Sequence, residues 1–461
     1  MQTVEQIVKL LIEGDQDLNS RVITDLIRSH AGDRQRMIDL HERYKVSTAG
    51  VPVLQRYFQD TRKVNNRINN DFFSDIIDIK TGYFAGEPIS YMLDKVAYQD
   101  EEGNLSPKYD KHGEVITTFE KVNNLSDLDA EAAKLAAICG QAGRLLYVDG
   151  EGRERVINVP GWECIFVDDG SILEPQYAMR YYSITENGEE KYKVEWYDDR
   201  NVTFYIGSPQ GAFTQTGSQS HLFDGVPLLP LYNNEERQGD AEKVLALIDG
   251  YDNVISDINS EIEQFRLAYM AFYGYTPDEE TLEAAKQTGA FGLDNDGKIE
   301  FITKQMQGDI IESHLERLES NIYRFSQTPN FADEAFAGSQ SGEARKFKML
   351  PFENKCMLAE RKFTVSLDQM FKLLATAWNK KGIDIDPDHI TYQFTRNFPL
   401  DLLYEAEANS KLKGLVSDKT RLAMLSFIDD PENELEQMDA ERPVDLDNFD
   451  EGDEDEPVEE S

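Results

Sequence analysis

Long apolar runs are missing from this chain of 461 residues. No stretch of about 18 consecutive apolar residues occurs, which excludes a membrane-spanning helix. Cysteine is scarce: Cys139, Cys164 and Cys356 stand far apart, so a disulfide framework is not expected and a reducing, cytosolic setting is. The six histidines are scattered, and neither Cys-x-x-Cys nor His-Glu-x-x-His occurs, so no metal centre is expected. A phosphate-binding G-x-x-x-x-G-K-[ST] loop is absent too, and with it the expectation of ATP hydrolysis. Gly338 to Gly342 is superficially similar to a nucleophile elbow, but its central residue is Gln340 and no strand precedes it. The N-terminus lacks the basic start and apolar block of a signal peptide. No cofactor is expected.

Positive charge is also in short supply: 47 Lys and Arg face 87 Asp and Glu, for a net charge of −40. Asp445 to Ser461 holds ten acids and no base and reads as a disordered acidic tail; without it the body still carries −30. Such a body does not wrap nucleic acid tightly, because phosphate neutralisation needs clustered cations. It would suit a surface that lets nucleic acid pass by repulsion, and it would equally suit solubility alone. The many carboxylates read as solvated surface acids rather than a catalytic pair.

What the chain does have is 40% hydrophobic residues, with 24 Phe and 21 Tyr, enough for sizeable cores. Val4, Ile7, Val8, Leu11 and Ile12 fit one face of a helix. Ile68, Phe72, Ile76, Ile79 and Tyr83 predict another over Asn65 to Phe84, ended by Gly82, Gly86 and Pro88, with a strand at Ile89 to Leu93. Residues 95–118 read as a polar loop or ribbon, and Leu128 to Gly140 as a short helix. From Arg144 to Leu231 the pattern is of antiparallel strands: Leu145–Val148, Val156–Val159, Glu163–Val167, Tyr177–Thr185, Lys191–Trp196 and Val202–Ile206, with turns at Asp149–Gly152 and Asn187-Gly188.

Val244, Ile248, Tyr251, Ile255, Ile258, Ile262, Phe265, Tyr269 and Phe272 alternate intervals of four and three. They predict one unbroken helix of about 42 Å. Ile311, Leu315, Leu318, Ile322 and Phe325 repeat that spacing in a second helix. Helices so patterned pack at shallow angles, either in an ordinary intramolecular bundle or in a ring of hairpins. Between them, Pro277–Thr281 starts a short helix, and Phe291–Leu293 with Ile299–Ile302 reads as a hairpin. Ser326 to Gly342 reads as a mobile loop. A third long helix runs from Glu343 to about Lys381, kinked near Pro351, with Phe363, Leu367, Met370, Leu374 and Ala377 in register. Ile390–Phe394 is a strand and Leu402–Phe427 is helical. Arg345, Lys346 and Lys348 form a basic cluster, read either as helix-face ion pairs with Glu343 and Glu353 or as cations facing phosphates.

Three stretches carry a family resemblance: Asn65 to Tyr91 (NNRINNDFFSDIIDIKTGYFAGEPISY), Val226–Asn234 running on to Ile248–Asp252, and Ser341–Lys346 opening the third long helix. Over about residues 30–430 the chain resembles the portal (head–tail connector) proteins of tailed double-stranded DNA bacteriophages, in the siphophage branch. The resemblance implies an α+β fold of portal type, with long stem helices, an α/β wing, a small clip insertion and a helical C-terminal crown. By position the wing is 1–237, joined by a strand in 382–399. The stem is 239–272 and 307–326, the clip 273–306 and the channel loop 327–342. A long kinked helix covers 343–381, the crown 400–440 and the acidic tail 441–461. The channel loop would present Thr328, Pro329, Asn330, Phe331, Phe336, Gly338, Ser339, Gln340, Ser341 and Gly342, with Arg345, Lys346 and Lys348 as phosphate-facing cations. The stem would pack through Val244, Ile248, Tyr251, Ile255, Ile258, Ile262, Phe265, Ile311, Leu315, Leu318 and Ile322.

The same resemblance implies a homo-oligomeric ring, typically of twelve subunits, at one capsid vertex, built in the host cytoplasm and carried in the virion. Its partners would be double-stranded DNA passing without sequence specificity, the terminase large subunit (the packaging ATPase), head-completion or adaptor proteins at the clip, and major capsid and scaffolding proteins, with no membrane. That role is structural, not enzymatic. Two other classes fit parts of the sequence: an acidic DNA-mimic or protein-binding module without a channel, and a nuclease, for which no metal-ligand pattern argues.

Overall fold

The computed structural model describes residues 18–58, 64–100, 102–167, 175–186, 188–208, 210–265, 269–273, 276–288, 298–302, 308–332, 342–397, 402–425 and 431–441, with Lys9, Leu11, Gly14 and Ile428. Of the N-terminal helical face only Leu11 falls among them, and it is buried. The acidic tail and the Phe291–Leu293 strand lie outside the described residues.

Residues 1–397 make one compact unit and 398–461 a second. In the first, α1 (Ser20–Tyr44) starts at Asn19, whose side chain accepts from the amides of Arg21 and Val22. Its apolar face, Val22, Ile23, Leu26 and Ile27, is buried against Val167, Met179, Tyr181, Val194 and Trp196 of a five-stranded antiparallel meander. That meander is β4 (Cys164–Val167), β5 (Tyr177–Glu186), β6 (Glu189–Tyr197), β7 (Asn201–Gly207) and β8 (Thr214–Ser220), in that order. β2 (Gln141–Val148) lies between β3 (Glu154–Pro160) and β9 (Leu228–Tyr232) in a second antiparallel sheet. The β2–β3 turn forms as its sequence requires: the Asp149 carboxylate accepts from the Glu151 and Arg153 amides, and Gly152 takes φ +78.

A third core joins α2 (Phe72–Ala85), β1 (Ser90–Leu93), α3 (Pro107–Asn123), α4 (Leu125–Cys139) and the long α8 (Gly342–Lys380). β1 pairs antiparallel with β12 (Ile390–Gln393), Leu93 opposite Ile390. Four sequence readings change here. α2 begins at Phe72, and residues 65–70 ahead of it are not helical. Residues 107–123 form a helix rather than a loop: Pro107 sits at its first turn, and His112, Ile116, Phe119 and Asn123 line its buried face. β8 escaped the sequence reading because its residues, TQTGSQS, are mostly exposed and carry no apolar alternation. α8 runs continuously through Pro351.

The remaining elements of the first unit are α5 (Leu245–Phe265), β10 (Tyr269–Tyr273), α6 (Glu279–Thr288), β11 (Lys298–Ile302) and α7 (Gly308–Ser326). The second unit holds α9 (Leu402–Leu412), α10 (Asp418–Leu422) and α11 (Pro431–Glu441). Gly414, at φ +83, falls between the first two, where the sequence predicted one helix over Leu402–Phe427.

Candidate functional site

The heptad helices α5 and α7 pack together and are bridged by the tip module, in which β10 pairs with β11 in antiparallel register, Tyr269 opposite Ile302. The unbroken 42 Å helix is a correction: a 3-10 turn at Glu242–Val244 leads into α5, which ends at Phe265 after 21 residues, about 30 Å. Tyr269 and Phe272 continue the heptad count but belong to a strand. Four-and-three spacing records where apolar residues fall; it does not decide whether five more residues stay helical once a sheet partner is available.

The seam is graded along its length. Val244, Ile248 and Ile322 are at most 1% exposed and sit in a core with α1, α2 and α4. Tyr251, Ile255, Ile258, Ile311, Leu315 and Leu318 are half-buried. Ile262, near the tip, is 56% exposed.

Alongside α5 runs an extended strap, residues 64–70, tied to it by a ladder that sequence reasoning missed. The Asn66 amide donates to Ser260 Oγ (2.9 Å), the Ile68 amide to Ser256 Oγ (3.0 Å), and the Asn70 amide to Asp252 Oδ1 (3.0 Å). Asn70 Nδ2 donates to the same Oδ1 (2.8 Å). The periodicities match: four residues of helix rise about 6 Å, and two residues of extended chain cover about 6.6 Å. Side chains at 252, 256 and 260 therefore meet alternate amides at 70, 68 and 66. Asp71, at φ +51, then turns the chain into α2. Small polar residues at i, i+4 and i+8 beside an apolar seam were the signal available in the sequence.

At the base of the pair, charge is buried. Lys80 Nζ donates to Asp240 Oδ2 (2.7 Å) and to Asn233 Oδ1 (2.6 Å). Lys355 Nζ lies 3.0 Å from Asp240 Oδ1 and donates to the Ser326 carbonyl (2.9 Å), in the last turn of α7. One carboxylate thus serves two ammonium groups, and it joins α2, α8, the end of α7 and the segment after β9. Burial works against ionising Asp240, but Lys355 and Lys80 outweigh it and hold the carboxyl below its usual range. Burial, together with repulsion from Lys80, lowers Lys355 despite Asp240. No sequence pattern links these residues, which come from three distant parts of the chain.

The chain leaves α7 through a Schellman-type stop: Gln327 takes φ +58, the Thr328 amide donates to the Tyr323 carbonyl (3.0 Å), and the Gln327 amide to that of Arg324 (3.3 Å). Thr328 is buried, Pro329 and Asn330 are half-buried, and Asn330 Nδ2 donates to Glu319 Oε1 (2.9 Å). Phe331 is exposed. Phe336, Gly338, Ser339, Gln340 and Ser341 lie outside the described residues, and Gly342 opens α8. Arg345 and Lys346 fall in the first turn of α8, and Lys348, one turn on, is exposed. Lys355 therefore fastens the departure from α7 to the body of α8 on either side of the expected channel loop.

Among the described residues no group of His, Cys, Asp and Glu could hold a metal ion. Cys139, Cys164 and Cys356 are free and buried, and burial raises all three thiols, Cys139 to about 12 and Cys356 to about 11. No helix is long and apolar enough to cross a membrane among the described residues.

Residues 23–443 match the family described as "Phage portal protein, SPP1 Gp6-like". The chain is 25% identical over 473 aligned residues to the portal protein of Bacillus phage SPP1, covering 95% of this chain and 90% of that protein. It is likewise 25% identical over 439 residues to the portal protein of Clostridium phage phiCD119, covering 89% of this chain and 93% of that one.

Proposed function

The chain belongs to the SPP1 Gp6-like phage portal family, and from that premise we propose that it builds the DNA conduit of a phage capsid. Portal proteins are structural, non-enzymatic components of the virion, and they stand as homo-oligomeric rings at a capsid vertex. In this reading the ring, of about twelve copies by family resemblance, is assembled in the host cytoplasm. It admits double-stranded DNA without reading sequence, receives the terminase large subunit during packaging, joins adaptor proteins to the head, and lets DNA out on ejection. Capsid and scaffolding proteins are its neighbours in the shell.

One observation supports this reading most: two antiparallel heptad helices bridged by a small strand-and-helix tip, which in a ring would make a stem (239–272 and 307–326) and a clip (273–306). The wing would be 1–237 with β12, the crown 400–440, and the channel loop 327–342. Nine acids against two bases on α5 and α7 would keep a passing DNA backbone from adhering, within a screening length of about 8 Å. Arg345, Lys346 and Lys348 would be the exception, touching phosphates beside the loop. The work of translocation would come from a separate ATPase.

Electron micrographs of the purified full chain test the reading: closed rings with an axial hole are expected, and a compact monomer under every assembly condition overturns it. Shortening Phe331 to Ser339 is expected to leave rings intact and to impair packaging or retention of DNA; normal infectivity after that deletion removes the loop from the mechanism.

A further inference from the structure

In a chain of net charge −40, α8 is the anomaly: its 39 residues carry eight Lys or Arg against four acids. Its buried side faces the wing core through Phe352, Phe363, Leu367 and Phe371. Its other side is not the polar face such a helix usually shows. Phe347 is 75% exposed and Leu358 58%, and with Leu350, Met357 and Val365 they form an exposed apolar strip. The strip keeps helical spacing from Phe347 to Val365, 18 steps of about 27 Å in all. Arg361 lies on the same side, exposed, and makes no ion pair among the described residues.

The α5–α7 pair has the opposite character. α5 carries five acids and no base. On α7, Glu312 and Glu316 stand exposed one turn apart, without ion pairs among the described residues. The pair leaves apolar surface uncovered at Ile262 and Ile310. Each surface therefore offers what the other lacks: apolar with a cation, and apolar with acids. One copy cannot satisfy both, because the base of its α7 is already fixed to its own α8 at Lys355. A ring closed by rotation needs two such unlike faces on every subunit.

We infer that the exposed strip of α8 is the face on which each subunit receives the α5–α7 pair of a second copy. The inference rests on the ring reading above and adds to it the two surfaces that meet. An apolar strip of this size favours protein over DNA as its occupant, since phosphate backbones are met by polar and cationic groups.

The test is charge reversal in the full chain, read by native mass spectrometry and by thermal melting of the monomer. Arg361→Glu is expected to leave the monomer's melt unchanged and to weaken ring assembly by a factor on the order of ten. Adding Glu312→Lys and Glu316→Lys is expected to restore the rings. Rings that persist after the α8 reversal overturn the inference, and so does a variant that loses only DNA retention. Rings that stay lost after the second reversal remove the α5–α7 pair as the partner. Absence of rings in the unaltered chain would instead sink the ring reading itself. Leu358→Asp, which alters the strip without touching Arg361, is expected to weaken assembly in the same direction.

Discussion

The two ends of the α5–α7 pair share one heptad spacing and differ in everything around it. At the base, Ile248 and Ile322 are sealed in a core drawn from three other helices, and a carboxylate is locked between two lysines. Toward the tip the same spacing yields half-buried residues and an exposed Ile262, while the inward polar side is held by hydrogen bonds to a strap. Among the described residues the seam is therefore complete only at the base. In the proposed ring a second copy would cover it further out.

The sharpest way to break the contrast is at Asp240. Replacing it with Asn removes the charge that Lys80 and Lys355 share and leaves two ammonium groups buried together. A loss of about 3–5 kcal/mol is expected, measured by urea unfolding. Lys355 also donates to the end of α7, so amides in the last turn of that helix should exchange faster in the variant. Next comes a pair of truncations: Ile248→Ala should cost about 2–5 kcal/mol of monomer stability. Ile262→Ala should stay within about 0.5 kcal/mol. Equal losses at the two positions would erase the distinction between base and tip.

Much of the sheet region was readable because alternation and turn chemistry agree there. Asp149–Gly152 and Gly188 sit where two-residue periodicity stops on both sides, and β2–β3 and β5–β6 pair across those points. The helix at 107–123 carries its signals too, Pro107 and the spacing of Ile116 and Phe119, but Gly103 and Gly113 punctuate the same stretch and favour a loop. The end of α5 was not: Tyr269 and Phe272 satisfy the heptad, and only the pairing with Ile299 to Ile302 shows that the chain has left the helix. The base network was illegible for another reason. Lys80, Asp240 and Lys355 are each ordinary in their own segments, and their burial together is a property of tertiary packing. Residues 65–70 misled because Ile68 completes the apolar spacing of α2, while the partners of the strap's amides lie on a helix some 190 residues later.

The strap gives a smaller, local test of the distal half. Ser256→Ala removes the acceptor for the Ile68 amide and leaves that amide without its bond. A cost of about 1–3 kcal/mol is expected. Hydrogen exchange should show it at Asn66, Ile68 and Asn70, with little change in α2. If protection at those amides persists, packing rather than the ladder holds the strap.

The finest test uses the two buried aspartates, whose acidities move in opposite directions. Asp240 is held below its usual range by its lysines. Its folded form therefore favours the carboxylate, and its contribution is present above the unfolded value near 3.8 and lost as pH falls through the folded one. Asp252 is raised, chiefly by burial, with the Asn70 hydrogen bonds acting against that. Its Oδ2 has no hydrogen-bond partner among the described residues. For a raised carboxyl the stabilising contribution is full below 3.8 and is lost as pH rises through the folded value. Lowering the pH from neutral toward 4 should thus relieve the cost of burying the Asp252 charge beside the strap while the Asp240 network still holds. Asp252→Asn removes the titrating group, so the pH dependence of Asn70 amide protection should flatten in that variant alone. A wild-type strap that loosens steadily over the same range, with Asp252→Asn following it in parallel, would show that Asp252 does not set the acid response of the distal half.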